Sequence, residues 1–130
     1  MSPGHAGAVG VEFPADTVNM VIARTVAASM AARADLTVDQ VEDVRLAMDE
    51  ATAHMIKVAL PDSRVMCEVW IEESSLHALV SCTIGNTVPA DPDPFAWTVI
   101  TALVDSVRLE THGEMLQLHW SLASDHSLRT

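Results

Sequence analysis

The chain is short of positive charge. Its 130 residues carry 7 lysines and arginines against 18 aspartates and glutamates, a net charge of −11. No basic run offsets this, so nucleic acid is excluded as a direct partner, because such a surface repels phosphate. An anionic membrane surface is disfavoured for the same reason. Cysteine is scarce too: Cys67 and Cys82 are too few for a disulfide framework or a metal cluster. Each sits in an apolar, strand-like run and reads as a buried free thiol. No apolar stretch approaches the roughly 20 residues that span a bilayer, and Met1 to Gly10 lacks the charged start and apolar core of a signal peptide. A cytoplasmic location is expected. What is present is a large hydrophobic share, 49%, with 19% charged residues. That composition excludes a disordered chain, and the length suits one domain with a core of its own.

Residues 1–8, rich in Gly, Pro and Ala, are expected to be a disordered leader, 9–123 a single domain and 124–130 a flexible tail. Val9 to Phe13 alternates apolar and other residues and stops at Pro14, a first strand. Val18, Val21, Ile22, Thr25, Val26 and Ser29 recur at helical spacing and predict a helix over Thr17–Ala32. Thr37-Val38-Asp39-Gln40 is an S/T-x-x-Q capping box and opens a second helix, which Pro61 stops near Leu60. Arg64–Glu72 and Leu76–Ile84 form a hairpin, and 85–94 is a proline-rich loop. Phe95–Val107 is a third helix, and a second hairpin turns at 111–114. The order β-α-α-β-β-α-β-β predicts an α+β two-layer sandwich, a mixed, mostly antiparallel sheet with its helices on one face.

The second helix has two stripes. Val41, Val44, Met48, Thr52, Met55 and Ala59 suit a core. Leu46, Ala47, Glu50, His54 and Lys57 form a more polar stripe, either a solvated face or a place for chemistry. The seven methionines read mainly as core filling, and Trp70, Trp97 and Trp120 as packing. The remaining histidines show no ligand spacing, so no metal site is expected.

The runs Glu12-Phe13, Ile22-Ala23-Arg24, Asp35-Leu36-Thr37-Val38-Asp39 and Leu46-Ala47-Met48-Asp49-Glu50-Ala51, with Phe95 to Val107, carry a resemblance. The chain resembles the anti-sigma factors of the RsbW and SpoIIAB type, small members of the Bergerat-fold (GHKL) ATPases that include histidine kinases and gyrase. The resemblance implies a protein that binds and sequesters an alternative sigma factor of RNA polymerase. It also implies a STAS-type anti-anti-sigma partner, which many members phosphorylate on serine with ATP and Mg²⁺, and a homodimer.

The nucleotide motifs that the resemblance implies are altered here. In the long-helix motif E-A-x-x-N, Glu50 keeps the carboxylate that would act as catalytic base, but the Mg²⁺-ligating amide position holds His54, and imidazole suits a hard, oxygen-seeking ion poorly. Where the family has D-x-G-x-G for adenine, the chain has Thr83-Ile84-Gly85-Asn86-Thr87. Gly85 survives, while Thr83 and Thr87 replace the aspartate and the second glycine, and a hydroxyl lacks the charge-assisted strength of a carboxylate. The phosphate-binding G-x-G before the third helix is Phe95-Ala96-Trp97, with Trp97 a candidate plug for the vacated pocket. Asp91 and Asp93 add repulsion toward a triphosphate, with no lysine or arginine near them in the sequence.

The loss of all three motifs predicts weak or absent ATP binding and no cofactor. Arg24 matches a first-helix arginine that contacts both partners in the family, and Thr17, Asn19 and Met20 would complete that patch. Three readings follow. The first is an anti-sigma factor that has largely lost kinase function. The second is an active serine/threonine kinase for a STAS-domain antagonist, using Glu50, ATP and Mg²⁺. The third is an interaction module without sigma binding.

Overall fold

A computed structural model describes residues 5–85 and 93–125. Thr87, Asp91 and the end of the expected tail lie outside them. The strands are β1 (Val9–Pro14), β2 (Arg64–Glu72), β3 (Ser75–Thr83), β4 (Ser106–His112) and β5 (Met115–Ala123). The helices are α1 (Met20–Arg33), α2 (Val38–Val58) and α3 (Pro94–Leu103), with a short 3-10 turn at Thr17–Asn19. The five strands form one sheet in the order β1-β2-β3-β5-β4, and every neighbouring pair is antiparallel. The fold is the expected α+β sandwich, without the parallel pairing that a mixed sheet would bring.

Period-two alternation decides which sheet face is dry. Val65, Cys67, Val69, Leu76, Ala78, Val80, Cys82, Leu116, Leu118 and Trp120 join one buried cluster with Ala23, Ala27, Met30 and Ala31 of α1 and Val44, Met48, Ala51 and Met55 of α2. The residues whose spacing predicts the first helix do not all pack inward. Val18, Val21 and Ile22 are 72%, 51% and 40% exposed, and the alanines face inward. Four small or flexible residues let α1 approach the sheet and α2 closely, which branched side chains would prevent.

Several boundaries differ from the sequence pattern for local reasons. The first helix begins later because Asp16 accepts from Val18 N at 3.1 Å and the chain takes a 3-10 turn before Met20. The third helix ends earlier, at Leu103 rather than Val107. Val104 is extended, and Asp105 is tied to β5, its N–H donating to Ser121 O at 2.9 Å and its carboxylate accepting from Ala123 N at 2.7 Å. The β2–β3 turn is the two residues Glu73 and Ser74, both at positive φ (50° and 66°), as a type I′ turn demands. The backbone oxygen of His5 accepts from Ala8 N at 3.2 Å, and Ser124 is buried, its hydroxyl donating to Asp35 O at 2.7 Å.

The capping box of α2 is formed as the sequence predicts. Thr37 Oγ1 accepts from Gln40 N, and Gln40 Oε1 accepts from Thr37 N, each at 3.1 Å. Gln40 also donates to Ala123 O at 2.8 Å and accepts from Asp125 N at 3.1 Å, so one buried amide joins the helix start to the end of β5.

Two outcomes are expected in urea unfolding. Gln40→Ala loses roughly 1–3 kcal/mol, because it strands backbone groups at both ends of that joint. Glu73→Asn with Ser74→Gly gains about 1 kcal/mol, because it relieves two left-handed non-glycine residues.

Candidate functional site

Glu50, His54 and Lys57 follow one another at helical spacing along α2 and face the start of α3. With Ala53, Asp93, Phe95 and Ala96 they line a hollow of about 110 Å³. The start of α3 is built locally: Asp93 caps it, accepting from Phe95 N at 2.9 Å and Ala96 N at 3.4 Å, and Pro94 occupies the first turn, where no donor is needed. Those two backbone N–H groups, chiefly that of Phe95, hold the Asp93 carboxyl below its usual range, with Lys57 adding to the effect. Lys57 Nζ lies 3.5 Å from Asp93 Oδ2. This corrects the view that Asp93 has no cation near it: the lysine is 36 residues away in sequence and comes from the facing helix.

His54 is the unusual member. It is 7% exposed, and neither ring nitrogen has a hydrogen-bond partner among the described residues. Burial pushes its pKa down, against a smaller upward pull from Asp93, while Lys57 pushes it further down. The shift favours the neutral ring. The polar stripe expected on α2 is split by depth: Ala47 and His54 are buried, Glu50 is half-buried, and Leu46 and Lys57 are exposed.

The other motif residues do not join this group. Thr83 pairs across the strands with Met115, and its hydroxyl contacts Met115 Sδ at 3.5 Å, whereas its neighbour Cys82 is the residue buried in the core. Gly85 has φ +74°, and a Cβ there would stand 3.3 Å from Leu60 Cδ2. Leu60 is held in place as its N–H donates to Thr83 O at 2.9 Å, so an apolar side chain lies against the surviving glycine. Trp97 is half-buried and does not line the hollow; Phe95, 71% exposed, and Ala96 do.

On α1, Arg24 is not a free fork. Its Nε donates to both carboxylate oxygens of Asp49 on α2, at 2.8 and 3.1 Å, and its side chain is 39% exposed. Asn19 is committed locally, its amide donating to Pro14 O at 2.9 Å. Met20 is half-buried and Thr17 exposed. The pattern missed that the apolar residues Val18, Val21 and Ile22 lie outward beside this arginine. A groove of about 490 Å³ runs between the helices, lined by Val21, Arg24, Thr25, Val41 and Arg45 among others. The clue was available in the sequence, because the alanines of α1 recur at helical spacing as regularly as its branched residues do.

An imidazole buried without partners costs stability that an apolar side chain does not. His54→Leu is expected to leave the fold intact and to stabilise it by about 1 kcal/mol near neutral pH. The variant also loses part of the acid sensitivity. A histidine whose folded pKa is lowered costs nothing above the unfolded value near 6.5, and stability drains away as pH falls from there through the lowered folded value. The unfolding midpoint of the wild type against pH, compared with that of His54→Leu, reads both effects.

With this geometry in view, known proteins supply the kinship. Residues 13–120 match the family model of the histidine kinase-like ATPase domain. Two proteins named anti-sigma-F factor RsbW, from the CDC 1551 and H37Rv strains of Mycobacterium tuberculosis, are each 34% identical to the chain over 103 residues. The matched stretch covers 78% of this chain, which spans 60% of the length of those relatives. A crystal structure of the RsbU and RsbW domains of a Mycobacterium tuberculosis protein superposes with a TM-score of 0.70 over 91% of this chain and 32% of that one, at 10% identity. The chain belongs to the histidine kinase-like ATPase domain family, and its kinship within that family is with the RsbW-type anti-sigma factors.

Proposed function

We propose that the protein is an anti-sigma factor that binds and sequesters an alternative sigma factor of RNA polymerase, under the control of a STAS-type anti-anti-sigma partner, with ATP binding weak or lost. The relatives' name supplies the anti-sigma part of this reading. It acts in the cytoplasm, in keeping with two buried thiols that remain free, and as a homodimer, as the sequence resemblance implies.

The observation that carries the reading is the outward apolar ridge of Val18, Val21 and Ile22 beside the Arg24–Asp49 pair. Exposed branched side chains flanking an aligned charge pair suit a protein partner. Arg24, steered by Asp49, presents an oriented cation to a partner carboxylate, and the overall −11 charge suits the basic, DNA-binding helices of a sigma factor.

The residues at the nucleotide position do not suit Mg·ATP. The hollow of about 110 Å³ falls well short of the roughly 300 Å³ at which ligand pockets begin. His54 offers an imidazole where a hard cation needs oxygen, Leu60 lies on Gly85, and Asp93 and Phe95 stand where bare backbone would meet phosphate.

The test uses purified alternative sigma factors and reconstituted transcription. The protein is expected to bind one of them and suppress its transcription. Ile22→Glu, an exposed site where folding is unaffected, weakens binding at least tenfold. Arg24→Glu does the same, checked for fold by circular dichroism because it also faces Asp49. Titration calorimetry with Mg·ATP shows no micromolar binding. Binding of no sigma factor, or unchanged binding in both variants, overturns the partner reading. Micromolar ATP affinity with phosphate transfer to a STAS antagonist replaces it with the kinase reading.

A further inference from the structure

The face of the sheet turned away from the helices is open, yet Trp70 on that face is only 4% exposed. His5 covers it, ring on ring, at 3.7 Å between centroids and 7° between planes. His77 and His119, from β3 and β5, lie nearly parallel to the same indole at 5.2 and 5.6 Å. His77 Nδ1 and His119 Nε2 are 3.1 Å apart, in hydrogen-bond geometry. The cluster brings together β2, β3 and β5 with the amino-terminal turn, and no part of the α1 or α2 sites enters it.

The neighbours settle which way the protons point. Arg108 on β4 donates from its NH2 group to His119 Nδ1 at 3.2 Å, and arginine has no acceptor to offer. His119 Nδ1 therefore carries no proton, and its proton sits on Nε2. That Nε2–H must donate to His77 Nδ1, which leaves the His77 proton on Nε2, turned toward Glu72 Oε1 at 4.0 Å. One directed line runs from Arg108 through His119 and His77 to Glu72, across β4, β5, β3 and β2. The reverse direction would point a His119 N–H at the guanidinium.

We propose that this line is a proton-operated link on the open sheet face, closed when both histidines are neutral and broken when either accepts a proton. The only vacant positions are Nδ1 of His119 and Nδ1 of His77. A proton on the first sets an imidazolium N–H against the Arg108 guanidinium. A proton on the second sets two N–H groups against each other. The first breaks the Arg108–His119 bond and leaves Arg108, among the described residues, with Glu110, whose Oε1 is 3.6 Å from its Nε; the second breaks the His119–His77 bond. The charged groups acting on the pair are His5 and Glu72 at His77, and His5, Arg108 and Glu110 at His119. Burial lowers the affinity of His77 for that proton, with Glu72 acting against the trend and His5 with it; burial likewise lowers that of His119, with His77, Arg108 and His5 adding to the effect and Glu110 opposing it. Acid turns the one such histidine-lined face in this acidic chain, among the described residues, into a positive one.

Histidine side-chain nitrogen NMR on the full chain, recorded from pH 8 to 4.5, tests the link. At pH 8 both rings are expected as the Nε2–H form. The two titrations are coupled, with both midpoints below the ordinary value. Arg108→Met removes the constraint, so His119 shows mixed tautomers, and His77→Gln raises the His119 midpoint toward its ordinary value. Near-ultraviolet circular dichroism confirms that both variants are folded. Independent titration of both histidines near 6.5 in the wild type overturns the proposal, as does an unchanged His119 tautomer in Arg108→Met.

Discussion

The placement of α2 governs the rest of the structure. At its start the Thr37–Gln40 box is fused to the end of β5, since the same glutamine side chain donates to Ala123 O and accepts from Asp125 N. At its end the chain is held as Leu60 N donates to Thr83 O. A helix pinned at both ends cannot slide or rotate over the sheet. Val44, Met48, Ala51 and Met55 then fill the dry interface, and Glu50, His54 and Lys57 are left facing α3. The site follows from that geometry, not from any independent arrangement of its residues.

The same constraint sets how the groups around the hollow are held. Asp93 caps α3 and also meets Lys57, so the carboxylate is satisfied twice by the protein itself. Phe95 and Ala96 close the hollow from the α3 side, and Leu60 covers Gly85 from the other. His54 is buried there, and among the described residues both its ring nitrogens lack hydrogen-bond partners. On the opposite side of α2, the Arg24–Asp49 pair ties the two helices where their outer surfaces meet. Stability is concentrated inside, and the groove between α1 and α2 stays open.

Most of the architecture was legible because it rests on short-range rules. The Thr37 box, the alternation in β2, β3 and β5, and the proline after α2 each have one dominant local cause, and the structure has them where the pattern puts them. The runs Ile22–Arg24, Asp35–Asp39 and Leu46–Ala51, with Phe95 to Val107, carried the family resemblance. What the sequence hid was set by distant contacts. Both the valines and the alanines of α1 recur at helical spacing, and only the closeness of α2 selects the alanines. Lys57 and Asp93 meet across 36 positions, and Thr83 turns away from the pocket because Cys82 beside it has the better claim on the core. The histidines showed no ligand spacing in the sequence because antiparallel pairing, and not spacing, brings His77 and His119 together.

The two thiols have a practical meaning of their own. Burial lifts the Cys67 thiol to about 12 and that of Cys82 to about 11, and Cys82 Sγ rests 3.5 Å from Met55 Sδ beneath α2. Thiolate is the reactive form, so neither sulfur is available to an alkylating reagent or an oxidant while the helical layer is seated. Their modification therefore marks the moments when α2 lifts from the sheet, and the chain carries within its core a clock for its own opening.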